Sequence, residues 1–287
     1  MAKIRKQVIK AGKMLEVDYF PCYEMSGRKI AEKPKSQKSK AKMDEENKNK
    51  AIRKFVRLVN ANFDENDYFA TFDYNPEYAP FSYERAQKDI YNYICRVRYL
   101  RKKKGLSNKN FRAAWTIQEV VYKRGYFAGL CNYHCHMFIT SDGLTGKELK
   151  ELWPYGTKGN INNYDPYRFG PEAAAKYMTK TNAGRRMYKT TKNMKQPVVE
   201  ERKDGNMSER KLRELAEQRK DDADYWEKKY PSYRFVRCRP FYNEYNGHWY
   251  ITVIMYKKTD NKSYYDKSRK RALQKRNKIN DGGLRKV

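Results

Sequence analysis

The sequence predicts an α+β fold in which helices pack on one face of a central antiparallel sheet. Within residues 66–186, strand and helix patterns follow one another in the order β-α-β-β-α-α. Two consecutive strands in this order indicate a hairpin, and hairpin strands pair antiparallel. Hydrophobic residues form 39% of the chain and aromatic residues 15%, a composition that favours a packed core over a disordered basic chain.

Turn and capping residues bound the predicted elements. Asn75-Pro76 ends the first strand, Ser82 begins the long helix that follows, and Gly105 ends that helix. Pro171 stands at a first helical position, where a missing N–H has no intrahelical acceptor to lose. The predicted strands are 68–73, 115–122 and 132–140, and the predicted helices are 82–103, 145–152 and 171–181.

Changes in composition divide the chain into four regions. Residues 28–54 have almost no large apolar side chain, which is typical of a solvated linker. Near the other end, 208–226 has the composition of a helix, and Asn246-Gly247 is typical of a hairpin turn. The predicted regions are a basic N-terminal arm and linker (1–54), a globular domain (55–188), a linker, helix and β-hairpin extension (189–256) and a basic tail (257–287).

The charge of the chain predicts a nucleic-acid partner. Lys and Arg number 64 and Asp and Glu number 34, so the formal net charge is +30. Each cation set against a phosphate releases a condensed counterion, which drives binding to polyanions. The five cysteines form no Cys-x-x-Cys pair, which favours a reducing, cytoplasmic compartment. The sequence has no long apolar stretch and no leader-like segment, so we expect no membrane association.

Two of the three histidines lie close together, in the segment YHCHMFI. Side chains alternate along a strand, so His134 and His136 share one face and Cys135 points to the other, together with Tyr133 and Met137. Two neighbouring imidazoles form part of a metal site in many proteins. The alternative is a pair of solvent-facing histidines that bind nothing.

A third metal ligand is expected from the preceding strand, where Gln118 and Glu119 are adjacent. Glu119 shares the histidine face if it pairs with His134 or His136, and Gln118 takes that place in the other register. Alternatively, Cys131 and Cys135 bind zinc together with the histidines. Strand geometry argues against that zinc site, because Cys135 points away from both imidazoles.

The helix PEAAAKYMTKT carries Tyr177 and, three residues later, Lys180, and these side chains are neighbours on one face. A tyrosine hydroxyl attacks phosphorus when a cation lowers its pKa, and a lysine or a divalent metal supplies that cation. Alternatively, Tyr177 is a core residue and Lys180 a surface residue.

In their order, these segments resemble the HUH endonucleases, and most closely the single-tyrosine rolling-circle replication initiators of bacterial plasmids and single-stranded DNA phages. The matching segments are YFATFDYNPEYAP, a basic helix, IQEVVYKRG, YHCHMFI, LWPYG and AAAKYMTK. The resemblance covers about residues 66–186. His134 and His136 match the histidine pair of the family, Glu119 its upstream acid, and Tyr177 with Lys180 its nucleophile helix.

The resemblance implies a sheet of ferredoxin-like or RRM-like type with the histidines on its open face. It also implies that Tyr177 attacks a phosphate of single-stranded origin DNA and forms a 5′-phosphotyrosine link, assisted by Mn²⁺ or Mg²⁺. The released 3′-OH then primes replication. We assign Lys176, which lies within this helix, and Arg185 and Arg186, which follow it, to DNA binding.

The order of the motifs distinguishes branches of the family. Relaxases place the nucleophile before the histidine strand, whereas initiators and the smaller single-tyrosine transposases place it after, as here. Position 181 is Thr, so a second tyrosine four residues after Tyr177 is absent, and Tyr188 is one candidate to replace it. There is no P-loop motif, so unwinding would need a host helicase or supercoiled DNA. The resemblance implies a host polymerase as a further partner. The alternative functions are a non-catalytic nucleic-acid-binding protein with an RRM-like platform, or a related HUH transposase or relaxase.

Overall fold

The computed structural model describes residues 3–23, 40–121, 128–156, 160–164, 187–205 and 207–258. These residues form an α+β protein with two antiparallel sheets, which confirms the predicted class. The strands are β1 (Lys3–Ala11), β2 (Met14–Cys22), β3 (Tyr68–Phe72), β4 (Ala113–Val121), β5 (Cys131–Ile139), β6 (Asn160–Asn163), β7 (Lys189–Thr190), β8 (Val198–Val199), β9 (Lys203–Asp204), β10 (Tyr233–Asn243) and β11 (His248–Lys257). The helices are α1 (Lys40–Asn62), α2 (Tyr83–Lys103), α3 (Gly146–Glu151), α4 (Glu209–Glu217) and α5 (Ala223–Lys229).

Sheet A joins the N-terminal hairpin to the C-terminal hairpin in the order β10-β11-β2-β1-β8, and β9 also pairs with β1. The prediction of a basic arm over 1–54 is therefore wrong for the described residues of that region. Leu15, Val17 and Tyr19 alternate with polar residues along β2 and are buried, as in a half-buried strand. Lysines in β1 conceal the same alternation there.

Helix α1 begins inside the region predicted to be a linker. Its first half is polar, whereas Phe55, Val59 and Phe63 follow at helical spacing and are buried. These residues belong to a cluster that contains Met14 of sheet A and Phe138 of the other sheet. Helix α1 therefore packs between the two sheets.

Sheet B contains the predicted globular block, in the strand order β6-β3-β5-β4-β7. The predicted strands and the two predicted helices that fall on described residues are confirmed to within two residues at each end. Ser82 caps α2 by accepting a hydrogen bond from the Arg85 N–H, and Thr145 caps α3 in a capping box with Glu148. The predicted helix over 171–181 lies outside the described residues.

One face of sheet B packs against α2 and α3, and α1 covers part of the other. Ile90, Val97 and Leu149 are buried against the first face. On the second face, the ring of Phe138 lies 5.6 Å from that of Phe63 in α1. The expected arrangement, with helices on one face only, therefore holds for α2 and α3 but not for α1. None of the helices in the described ranges is long and apolar enough to cross a bilayer.

The C-terminal extension is built into both sheets. Strand β7 pairs with β4 in sheet B, whereas β8 and β9 pair with β1 in sheet A. The hairpin turn at Asn246-Gly247 is confirmed, and Gly247 has a φ of 70°. The single helix expected over 208–226 is instead two helices, α4 and α5. The Ser208 side chain caps α4, and the Asp222 side chain caps α5. Of the predicted basic tail, 257–287, only residues 257 and 258 are among the described residues.

The turn between β1 and β2 touches the end of α1, which makes Gly12 a stability determinant. Gly12 has a φ of 55°, and a Cβ there would lie 2.1 Å from the Asn60 carbonyl oxygen. Gly205 has a similar φ of 73° with open space around it. We expect Gly205→Ala to cost about 1–2 kcal/mol of unfolding free energy for its backbone conformation. Gly12→Ala should cost about 1–3 kcal/mol more, because α1 must shift. Chemical denaturation of both variants tests this, and equal losses would contradict the contact.

A buried carboxylate joins α1 to sheet A. Glu16 is 2% exposed, and Arg57 Nε donates to its Oε2 at 2.7 Å, while Arg53 pairs with both Glu16 and Asp18. Burial opposes ionisation of Glu16, but the hydrogen bond from Arg57 and the charge of Arg53 outweigh it and lower the pKa of the carboxyl.

We expect Glu16→Gln to lower the unfolding free energy at neutral pH by roughly 1–3 kcal/mol, because two guanidinium groups lose their counter-charge. The ionised form of Glu16 stabilises the fold above the unfolded-state pKa of about 4.3, and this contribution disappears as pH falls through the lower folded-state pKa. Urea denaturation should therefore show a difference between wild type and variant that shrinks on acidification. Glu65→Gln, in an exposed pair with Lys13, is the matched control and should cost under about 1 kcal/mol.

Candidate metal centre on sheet B

The register of sheet B places both histidines on the face that α1 partly covers. Thr116 pairs with His136 and Gln118 with His134, so these four side chains share one face. Cys135 and Met137 point to the other face and are buried in the core, as the alternation predicts. We call the face that carries His134 and His136 the histidine face.

His136 is held in a fixed orientation by β3. The Thr71 hydroxyl lies 3.1 Å from its Nδ1, and the ring of Phe69 is stacked parallel to the imidazole with centroids 6.1 Å apart. The residue is 4% exposed, and burial together with the nearby His134 lowers the pKa of the imidazole to about 4. His136 is therefore neutral at physiological pH, the form in which imidazole binds a metal.

His134, like His136, is held through its Nδ1 atom. The carboxylate Oδ1 of Asp73, the residue that follows β3, lies in contact with its Nδ1. A carboxylate on one imidazole nitrogen orients the ring and makes the opposite nitrogen a better ligand. Both histidines thus have Nδ1 engaged by a β3-side residue, so Nε2 is the nitrogen of each ring that we expect to bind a metal.

The LWPYG segment fixes the backbone that carries Asp73. Trp153 Nε1 donates to the Asp73 carbonyl oxygen at 2.8 Å, and the Asn75 N–H donates to the Tyr155 carbonyl oxygen at 2.8 Å. A Cβ on Gly156 would lie 2.2 Å from that same Asp73 oxygen, so only glycine allows this approach. The segment therefore positions the carboxylate that orients His134.

The register decides between the two candidates for the third ligand. Glu119 pairs with Tyr133, so it lies on the opposite face from the histidines, where its Oε1 accepts a contact from Cys131 Sγ at 3.6 Å. The expectation that Glu119 completes the site is therefore not supported, and Gln118 occupies the position beside His134. Gln118 is 6% exposed.

The donor set on the histidine face fits a divalent ion of intermediate softness. Two imidazoles and an amide oxygen suit Mn²⁺ better than Mg²⁺, which prefers an all-oxygen shell. Within the described ranges, no three His, Cys, Asp or Glu side chains are grouped closely enough to hold a metal. The site therefore depends on Gln118 or on a ligand other than these side chains. The alternative zinc site fails because Cys135 is buried on the other face.

The predicted nucleophile helix lies outside the described residues. This applies to Tyr177 and Lys180 and to the proposed DNA contacts Lys176, Arg185 and Arg186. Tyr188, one candidate for a second tyrosine, is described. Its ring stacks on Phe55 of α1 with centroids 4.3 Å apart.

Sequence reasoning missed Thr71 and Asp73. Both residues stand in the first strand segment, YFATFD, at alternating positions that share a face. That alternation was a usable signal, but the pairing of Thr71 with His136 was needed to connect it with the histidines. Local sequence does not fix this pairing, because about 60 residues separate the two strands.

Comparisons with protein-family models, with curated proteins and with solved structures found no match to this chain.

Metal titration of single variants distinguishes the two candidate third ligands. We expect Gln118→Ala to weaken Mn²⁺ binding by about tenfold or more, since even outer-shell partners of a metal site are worth about 10–100-fold. Glu119→Gln, one residue along the same strand, should leave the affinity unchanged because it faces away. Isothermal calorimetry measures both. A loss in Glu119→Gln without a loss in Gln118→Ala would contradict the register.

Proposed function

We propose that this protein is a metal-dependent single-stranded DNA nickase that initiates rolling-circle replication. One observation carries the proposal: two histidines share a sheet face, and a residue on the β3 side engages each at Nδ1. Solvent-exposed histidines that bind nothing have no need of such fixed orientation. Here His136 is buried, neutral and stacked on Phe69.

A divalent ion at this centre would polarise a phosphoryl oxygen and align the scissile phosphate. His134, His136 and Gln118 would hold it, with Mn²⁺ favoured over Mg²⁺. Asp73 and Thr71 keep the two imidazoles in their ligating orientation. Phe69 and the apolar cluster around Phe138 exclude water from one side of the centre.

Tyr177 is the proposed nucleophile. Its hydroxyl oxygen would bond to the scissile phosphorus as the bond to the 3′ oxygen breaks, which leaves a 5′-phosphotyrosine and a free 3′-OH. Lys180, one helical turn on, would stabilise the phenolate, and Lys176, Arg185 and Arg186 would contact the DNA backbone. The phosphotyrosine retains the energy of the broken ester, so the same centre would rejoin strands.

The proposed fold type is the ferredoxin-like sheet of HUH endonucleases. In its support, β3 and β4 flank β5 and are connected through α2, so a helix crosses between the outer strands of the triplet. The N-terminal hairpin and α1 would be additions to that core. A host helicase, a host polymerase and origin DNA in a bacterial cytoplasm are the proposed partners and setting.

Covalent trapping tests the proposal. Wild-type protein incubated with Mn²⁺ and single-stranded origin-like DNAs should give a protein–DNA adduct that survives a denaturing gel. Tyr177→Phe should abolish the adduct, because phenylalanine has no attacking oxygen. Tyr99→Phe, at an exposed position on α2, is the matched control and should leave the adduct intact.

Other outcomes of this experiment would count against the proposal. If no DNA gives an adduct although all bind tightly, the non-catalytic binding protein is the better account. An adduct that survives Tyr177→Phe would retain the enzyme class and reassign the nucleophile. An adduct that forms equally well in EDTA would contradict the requirement for a metal.

A further inference from the structure

A row of aromatic side chains crosses the face of sheet A that points away from α4 and α5. Phe241 of β10 pairs with Tyr250 of β11, and their ring centroids are 6.0 Å apart. Ile251 pairs with Tyr19 of β2, so the next position brings Tyr250 and Phe20 side by side on the same face as Phe241. The row therefore extends over three adjacent strands, which are about 4.8 Å apart in any sheet.

These rings are not part of the core of sheet A. That core lies on the other face, where Tyr19 and Ile251 are buried under Trp226 of α5. Phe241 is 61% exposed, and Tyr250 and Phe20 are half-buried. Large aromatic side chains are costly to leave in contact with water, so a row of them at a surface indicates a binding face.

Cations run alongside the aromatic row. One pleat along the strands, Arg239 of β10 pairs with Thr252 of β11, and Arg239 is exposed. Arg53 of α1 reaches into this second row and donates to the Thr252 hydroxyl at 3.3 Å. Beyond it, Lys50, Arg53 and Arg239 line a cavity of about 300 Å³ between α1 and the sheet.

The acids near these cations do not cancel their charge. Glu16 is buried and Asp18 is largely buried, and Arg53 and Arg57 both pair with them. Among the residues that line the cavity, the cations Lys50, Arg53 and Arg239 outnumber the one acid, Glu16. The side chain of Arg53 is 41% exposed.

The two rows together match the chemistry of single-stranded nucleic acid. Its unpaired bases have free faces that stack on aromatic rings, and its phosphates follow at a distance of several ångströms. Side-chain rows two residues apart on one face of a strand are about 7 Å apart, which sets the cations beside the rings rather than over them. Bases of a duplex are already stacked and have no face to offer this surface.

We propose that this face of sheet A binds single-stranded DNA, with bases stacked on Phe20, Tyr250 and Phe241 and phosphates held by Lys50, Arg53 and Arg239. This platform is separate from the metal centre, because α1 packs between the two sheets. It requires no nicking activity and would bind DNA in the absence of metal. The rings give little sequence preference, since every base has a face to stack.

Fluorescence anisotropy of a labelled oligothymidine, with full-length protein in EDTA, tests the platform. We expect Phe241→Ala to raise the Kd by about fivefold or more, the value of one base–aromatic stack. Phe241→Trp should bind at least as tightly as wild type, because the larger ring still stacks. Tyr99→Ala, which removes an exposed aromatic ring 71% accessible on α2, is the matched control and should leave the Kd unchanged.

Charge and selectivity give a second readout. Arg239→Ala should lower the slope of log Kd against log salt concentration by about 0.7, the value of one phosphate contact with a single strand. Duplex DNA should bind more weakly than the single strand, and Phe241→Ala should not change its affinity.

An unchanged Kd in both Phe241→Ala and Tyr250→Ala would overturn the platform. It would also be overturned if these substitutions weakened the binding of duplex DNA as much as that of the single strand. Phe241 is exposed, so its removal should not disturb folding, and circular dichroism checks this. Because EDTA prevents metal-dependent nicking, these results are independent of the covalent-trapping experiment. Loss of the adduct in Tyr177→Phe with no effect of either Phe241→Ala or Tyr250→Ala on the Kd would support the nickase and reject the platform. A raised Kd in Phe241→Ala together with an adduct that survives Tyr177→Phe would support the platform and reassign the nucleophile.

Discussion

The register of β5 between β3 and β4 is the constraint on which the candidate centre depends. Side chains alternate along a strand, so a slip of one residue would turn both histidines into the core and bring Cys135 to the surface. The core prevents that slip. Cys135 and Met137 are buried against α2, whereas Phe138 fills the space beneath α1. Packing on both faces of one strand thus determines which side chains can meet a ligand.

Helix α1 connects this centre to the rest of the molecule through two kinds of contact. Toward sheet B it presents Phe55 and Phe63, which pack around Phe138. Toward sheet A it presents Arg53 and Arg57, which hold the buried Glu16. The contacts on the first side are apolar. On the second side, ion pairs satisfy a carboxylate that would be costly to bury alone, and they orient the helix.

Local sequence signals predicted the elements that depend on local physics. The caps of α2 and α3 and the turn of the β10–β11 hairpin follow from single residues and their immediate neighbours. The β1–β2 hairpin was missed because lysines interrupt its pattern, and because β11, which pairs with β2, lies more than 200 residues later in the chain. The same limit applies to the site. The histidine pair was predicted from alternation. The choice of Gln118 over Glu119 required the register of β4 against β5, and the role of Asp73 required the pairing of β5 with the distant β3.

The central claim is that His134 and His136 bind one divalent ion together, each through Nε2. Electron spin echo envelope modulation of the Mn²⁺-loaded protein measures this directly, because imidazole nitrogen bound to the ion modulates the echo. We predict modulation from two imidazole nitrogens in wild type and from one in either His134→Ala or His136→Ala. A spectrum with no nitrogen modulation, or one that neither substitution alters, would contradict the account.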